Sequence, residues 1–207
     1  MDFIPQVLLT HIVRRVGKIG FRELGPLIAS GPDFKTLVFD HIVLDDVDTN
    51  EYIFVSRLAN KGSITRPFLL RCLDAGNETA HYVEGLRLAA QEGPSQRSID
   101  LISVVAPNNI YAHFALGIFL ICCGSFDAGM VVMNSFFRFF PSVEEAVEIA
   151  EMVVMQITDM GTPNVGHYNN TVRFLGYPHC FLNNFSVVHL CQKCFAFKYA
   201  TRFQELC

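Results

Sequence analysis

The chain has 207 residues, of which 51% are hydrophobic, with 19 Phe, no Trp and a formal charge of -4. That length accommodates one or two small domains with a substantial core. The charge is uneven: residues 71–160 hold 4 Lys and Arg against 11 Asp and Glu, whereas residues 161–207 hold 4 against 1. No broad basic field exists, which argues against nucleic acid as a partner, and the apolar excess favours a binding role in which faces pack on another protein.

In chain order, residues 4–16 place Ile4, Leu8, Ile12 and Val16 about one turn apart with Leu9 and Val13 beside them, a helical stripe opened by Pro5 in its first turn. Phe21-Arg22-Glu23-Leu24 starts a second short helix, and Ser30-Gly31-Pro32-Asp33-Phe34 opens a third that runs through Phe39. The acidic run Asp45-Asp46-Val47-Asp48-Thr49-Asn50 reads as a linker and sets a domain boundary there. Beyond it, residues 51–60 and 64–75 read as two helices, the latter ended by Gly76.

A repeat follows. Ala80, His81, Tyr82, Gly85 and Leu86 recur thirty-two residues later as Ala112, His113, Phe114, Gly117 and Ile118. An Ala and a Gly five residues apart with an aromatic between them form a notch that lets a neighbouring helix approach closely, so the pattern predicts helices nested in series. Each copy is followed by Gly93 or Gly124 and a second amphipathic segment, giving two helical hairpins over 78–105 and 109–140. Pro141 closes the second unit as in a tetratricopeptide repeat, and the Ala-x-x-x-x-Gly spacing resembles Sel1-type repeats.

Ser142-Val143-Glu144-Glu145 is a capping box, and the helix it opens carries Val143, Ala146, Val147, Ala150, Val153, Val154 and Ile157 on one face. Glu144, Glu148 and Glu151 on the other face read as a solvated surface or an acidic docking strip. Phe136-Phe137-Arg138-Phe139-Phe140 cannot turn all four rings one way on a helix, so some meet a partner or the tail. From Gly161 onward helical periodicity is lost until Phe195, which predicts an irregular tail.

The longest apolar run, 110–123, is interrupted by His113 and too short to cross a bilayer, so it is read as a buried helix and no membrane is expected. The first residues carry Asp2 and Pro5 where a secretion leader would carry basic residues, and seven cysteines, an odd number, suit a reducing compartment. Cytoplasm or nucleus is the expected location, and the glycosylation triplets at Asn77, Asn169 and Asn184 are read as coincidental.

Cys191-x-x-Cys194 allows two thiolates to grip one tetrahedral zinc, with Cys180, His179, His189 and Cys207 as candidates for the remaining ligands. The alternative is a pair of reduced cysteines on a helix. Cys72, Cys122 and Cys123 fall on apolar faces and read as packing residues, and the equivalent His81 and His113 as structural ones. Phosphate loops, nucleophile elbows and zinc-protease motifs are absent, and the chain is read as non-enzymatic.

Two segments carry a resemblance. Ile4-Pro5-x-x-Leu8-Leu9-x-x-Ile12-Val13-x-x-Val16, with Phe21-Arg22-Glu23-Leu24 and Phe34-Lys35-Thr36-Leu37, looks like an F-box, although Val7 stands where an acidic residue is usual and Ser30-Gly31-Pro32 replaces the usual Cys-Lys pair. Residues 71–86, from Arg71-Cys72-Leu73-Asp74-Ala75-Gly76-Asn77 to Gly85-Leu86, are similar to a signature of plant F-box proteins with a tetratricopeptide-like second domain and a short Cys-containing tail. The resemblance implies a substrate adaptor of a Skp1–cullin–F-box ubiquitin ligase. In it Ile4, Pro5, Leu8, Leu9, Ile12, Val13 and Val16 would face a Skp1-like protein, supported by Leu24 and Phe34, while the array would hold an unknown target protein.

The combined expectation is an all-α chain. It has a three-helix F-box-like module over 1–44, a tetratricopeptide or Sel1-like array over 51–160 with Ala80, Tyr82, Gly85, Ala112, Phe114 and Gly117 as its repeat positions, and an irregular Cys/His tail over 161–207. The rival expectation is an interaction scaffold outside the ubiquitin machinery, its tail held by zinc on Cys191, Cys194, Cys180 and His189.

Overall fold

A computed structural model describes residues 5–162, 166–168 and 191–207. The chain is all-α: among the described residues there are twelve α-helices, two 3-10 turns and no strand. It divides into two compact units, Met1–Val83 and Glu84–Cys207. The division falls inside one continuous helix, Glu78–Glu92, and not at the acidic run 45–50.

In the first unit, α1 (Gln6–Gly17) is followed by a 3-10 turn (Phe21–Leu24), α2 (Gly25–Ala29), α3 (Pro32–Val38) and α4 (His41–Asp46). Four short helices therefore stand where three were expected. The extra one, α4, starts because the Asp40 carboxylate accepts the Ile42 amide hydrogen at 2.9 Å, a side-chain cap next to a run of apolar residues. Val13, Leu24, Val38 and Val43 are fully buried and make the core of these elements.

Residues 45–50 are no linker, because their charges are consumed locally. Asp46 takes Arg14 at 2.6 Å and Lys18 at 2.7 Å, both from α1, while Asp48 exchanges backbone bonds with Gly17 and Phe21. Just beyond, Glu51 receives a forked pair of bonds from Arg22 at 2.6 and 2.7 Å. The expected helix over 51–60 is α5 (Glu51–Phe54) plus a 3-10 turn (Ser56–Ala59), and α6 spans Arg66–Asp74. Phe21 lies between Tyr52 and Phe68, with ring centroids 4.9 and 5.7 Å away.

α6 ends in a left-handed residue, Gly76 at φ 93°, whose amide bonds the Leu73 carbonyl while the Asn77 amide bonds that of Cys72. This is the paired closure that glycine makes inexpensive. Asn77 then opens α7 (Glu78–Glu92) by accepting the Ala80 amide at 3.1 Å. Its own amide group donates to the Asp45 and Val47 carbonyls at 2.9 Å each, and the Thr49 hydroxyl donates to its oxygen. One buried side chain therefore fastens the acidic segment to the start of α7.

The second unit holds the rest of α7, then α8 (Gln96–Val105), α9 (Ile110–Cys122), α10 (Phe126–Phe137), α11 (Val143–Met160) and α12 (Gln192–Leu206). Helix α9 is apolar all round because it is the centre of this unit, packed by α8, α10, α11 and α12. The tail is not irregular at its end: α12 begins at Gln192 and buries Phe195, Tyr199 and Phe203, three aromatics one turn apart, against α9 and α10.

The hairpin geometry bears on the repeat. A Cβ on Gly85 would lie 3.2 Å from the Leu101 Cβ and 2.6 Å from Ile102 Cγ1 of α8, and one on Gly117 would lie 2.6 Å from Met133 Sδ of α10. The side chains met on the following helix stand sixteen and seventeen residues past Gly85 and fifteen and sixteen past Gly117, so both notches receive the next helix, one residue apart in register. Ala80, Ala112, Tyr82, Phe114, Leu86 and Ile118 are all fully buried. Asn109 accepts the Ala112 amide at 3.0 Å just as Asn77 accepts that of Ala80, which carries the repeat three residues upstream of the stretch that revealed it.

Candidate functional site

Helix α1 presents apolar side chains in two directions. Val13 and Gly17 are buried, and a Cβ on Gly17 would lie 3.3 Å from Val47 Cγ2, so that side of the helix faces the core. Leu8 and Ile12 are 53% and 51% exposed, and Pro5 is exposed beside them. At 100° per residue these three positions fall within about 60° of one another, a narrow ridge turned away from Val13. Val7 extends the exposed apolar surface at 67%. Leu9 and Val16 are intermediate and flank the ridge.

The physical setting keeps the ridge in place. Arg14 and Lys18 anchor the far end of α1 to Asp46 through the bonds described above. Burial alone would raise the Asp46 pKa, but the hydrogen bonds from Lys18 and Arg14 outweigh it and hold the carboxyl below its usual range. Glu51 is likewise lowered by its bond from Arg22.

The sequence-predicted partner residues therefore separate. Pro5, Leu8 and Ile12 are displayed, Leu9, Val16 and Phe34 are half-buried, and Val13 and Leu24 are core residues that no partner can touch. The expectation that Val13 faces the partner is corrected by its complete burial, while Leu24, expected to support that face, lies in the core beneath it. Ile4 lies outside the described residues.

In the second unit the four-ring run resolves by neighbours. Phe136 is buried, and Phe137 meets Phe195 of α12 with centroids 4.9 Å apart, so the tail covers these two rings. Phe139 stays 56% exposed and edges against His113 at 5.3 Å. The His81 and His113 rings each place Nδ1 within 3.2 Å of a backbone carbonyl, those of Asn77 and Ala106.

Cys72, Cys122 and Cys207 are buried thiols, and burial pushes Cys72 and Cys207 up to about 12 and Cys122 upward as well. They serve as packing residues. Cys191 is exposed at the N-cap of α12, Cys194 is fully buried, and their sulfurs are 3.4 Å apart. Among the described residues no group of three or more His, Cys, Asp and Glu side chains is placed to hold a metal. Cys180, His179 and His189 lie outside the described residues.

One buried feature escaped the sequence reading. Arg87 on α7 is 1% exposed, bonds the equally buried Glu84 at 2.8 Å and reaches Glu92 at 3.0 Å. The only signal for it is the Glu-x-x-Arg spacing within the apolar middle of α7, between Tyr82 and Ala90. Among the described residues no helix is long and apolar enough to cross a membrane.

Comparison with known proteins gives no match: neither a family model, nor a curated protein, nor a solved structure is similar to the chain.

Proposed function

We propose that the chain is a non-catalytic adaptor of a Skp1–cullin–F-box ubiquitin ligase, binding a Skp1-like protein through α1 and a target protein through the helical hairpins. The observation that carries the reading is the Pro5, Leu8 and Ile12 ridge. A short helix does not leave two large aliphatic side chains half in water without cost, and a helix-in-groove contact removes that cost. The resemblance of the first 44 residues to an F-box supplies the identity of the partner. The paired hairpins suit the second half of the role, because stacked helices offer an extended surface for a protein. An adaptor of this kind works in the cytoplasm or nucleus.

The test is co-expression of the full chain with a Skp1-like protein, followed by size exclusion. The wild type is expected to co-elute. Covering Leu8 and Ile12 fully contributes roughly 1–2 kcal/mol each, so Leu8→Asp/Ile12→Asp should weaken the complex by about 100-fold or more while leaving the circular dichroism of the free chain unchanged. Failure of the wild type to associate overturns the adaptor reading, as does undiminished association of the folded double variant.

A further inference from the structure

Two thiols at the start of α12 stand apart from every other described cysteine. Cys191 is exposed and occupies the N-cap of a fifteen-residue helix, where the helix dipole favours negative charge. Cys194, one turn on, is fully buried, with its Sγ 3.4 Å from that of Cys191. Cys72, Cys122 and Cys207 lie inside the fold, where burial disfavours the thiolate, and Cys123 is pushed the same way. Among the described cysteines an incoming oxidant therefore meets Cys191 first, and the Cys194 sulfur stands within 3.4 Å of it.

We propose that Cys191 and Cys194 are a reversible redox pair, with Cys191 the attacking thiol and Cys194 the resolving one, closing a disulfide across the first turn of α12. The oxidant is a low-molecular-weight disulfide of the glutathione class. The Cys191 thiolate attacks one sulfur of that disulfide, whose S–S bond breaks and releases one small thiolate. The Cys194 thiolate then attacks Cys191 Sγ, and the second small thiolate leaves as the intramolecular S–S bond forms. The two protein thiol protons end on the two released thiolates, so the protein dithiol loses two electrons and the small disulfide gains them.

The approach needed is short. The sulfurs must close from 3.4 Å to about 2.05 Å, a movement within reach of rotation about the exposed Cys191 side chain. The pairing also has something to act on. Phe195, which follows Cys194, is fully buried, and its ring packs on Phe137 at 4.9 Å and Tyr199 at 4.6 Å, so a bond from Cys194 back to Cys191 fixes the point where α12 enters the aromatic core. In a reducing compartment such a bond is transient, which suits a sensor more than a structural brace.

The experiment uses the full chain equilibrated in glutathione buffers of increasing oxidised fraction, quenched by alkylation and read by peptide mass spectrometry. The wild type is expected to gain a disulfide linking Cys191 to Cys194, with a mass lower by about 2 Da, and to return to the dithiol with excess reduced glutathione. Cys194→Ser should stop at a glutathione adduct on Cys191, and Cys191→Ser should leave Cys194 unmodified. Because position 191 is exposed, the second variant keeps the test open even where the first fails to fold. A stable adduct on wild-type Cys191, a disulfide from Cys191 to any other cysteine, or no oxidation at all overturns the proposal. So does a pair that resists alkylation when fully reduced and yields only after a chelator, since those thiolates would be metal ligands.

Discussion

Replacing each notch glycine by alanine separates a designed close approach from a tolerant one. Alanine in a helix interior is favoured over glycine by roughly 1 kcal/mol, so an open site would be stabilised. Gly129 of α10 meets backbone: a Cβ there would sit 2.7 Å from the Gly117 carbonyl oxygen and 2.9 Å from the Ile121 amide nitrogen. Neither atom can rotate away, so α9 and α10 must part, and overpacking of this kind costs about 3 kcal/mol at its upper end. After the propensity gain, Gly129→Ala should lose about 2 kcal/mol or more. At Gly85 the obstacles are Leu101 Cβ and the Ser98 carbonyl oxygen at 3.2 Å plus the Ile102 Cγ1 at 2.6 Å, a mixture of fixed and branched atoms. A net loss of about 1 kcal/mol is expected there.

Gly117 differs, because its Cβ would meet Met133 Sδ at 2.6 Å and Cγ at 2.9 Å, atoms of an unbranched side chain that can repack. Its substitution should fall near zero, within about 1 kcal/mol. Gly62, in the turn before α6 with nothing within 4 Å, serves as the steric control, where no helix-propensity gain is expected. Urea unfolding of the full chain followed by circular dichroism reads the order as the shift in midpoint at constant slope. An order in which Gly117→Ala is worse than Gly129→Ala, or in which all three stabilise, refutes the notch geometry.

Other substitutions test the polar and aromatic joints. Asn109→Ala should cost about 1 kcal/mol, the usual loss of a cap, whereas Asn77→Ala also strands the Asp45 and Val47 carbonyls and the Thr49 hydroxyl and should cost at least twice that in the same urea assay. Asp46 has a folded pKa below its unfolded one, so its contribution is present above the unfolded value and lost as pH falls through the folded one. Wild type minus Asp46→Asn stability, on the order of 1 kcal/mol because Lys18 is largely exposed, should be flat from about pH 5 to 7 and vanish in stronger acid. Phe195→Ala removes a buried ring contacting Phe114, Phe136, Phe137 and Tyr199 and should cost about 3–5 kcal/mol, with hydrogen exchange accelerated throughout α12.

The repeat was legible because a notch needs particular residue sizes. Only glycine lets α8 come as close as it does to Gly85, and at Gly117 a methyl group would have to push Met133 of α10 aside, so the requirement is written directly into the sequence. Asn77 and Asn109 were written there too, at the same offset, but a cap lies outside the apolar pattern and is missed by matching that pattern alone. The acidic run 45–50 misled because charge density reads as solvent exposure, whereas Arg14 and Lys18, some thirty residues upstream, neutralise Asp46. Helix α12 was half visible: Phe195, Tyr199 and Phe203 keep a four-residue spacing, yet nothing in Cys191-Gln192-Lys193-Cys194 says that the turn before them belongs to the same helix.

The α1 ridge shows where reading by periodicity stops. Leu8, Ile12, Val13 and Val16 are chemically alike and share one repeating pattern, but the chain spends Val13 on its own core and leaves Leu8 and Ile12 to water. What divides them is the arrival of Val47, Leu24 and Asp46 on one side of the helix, contacts that depend on residues distant in sequence. The division also sharpens the partner test, since Val13→Asp should unfold the first unit whereas Leu8→Asp/Ile12→Asp should not. Loss of binding in a chain that keeps its helical signal therefore reports on a docking face, and loss of both reports only on a core.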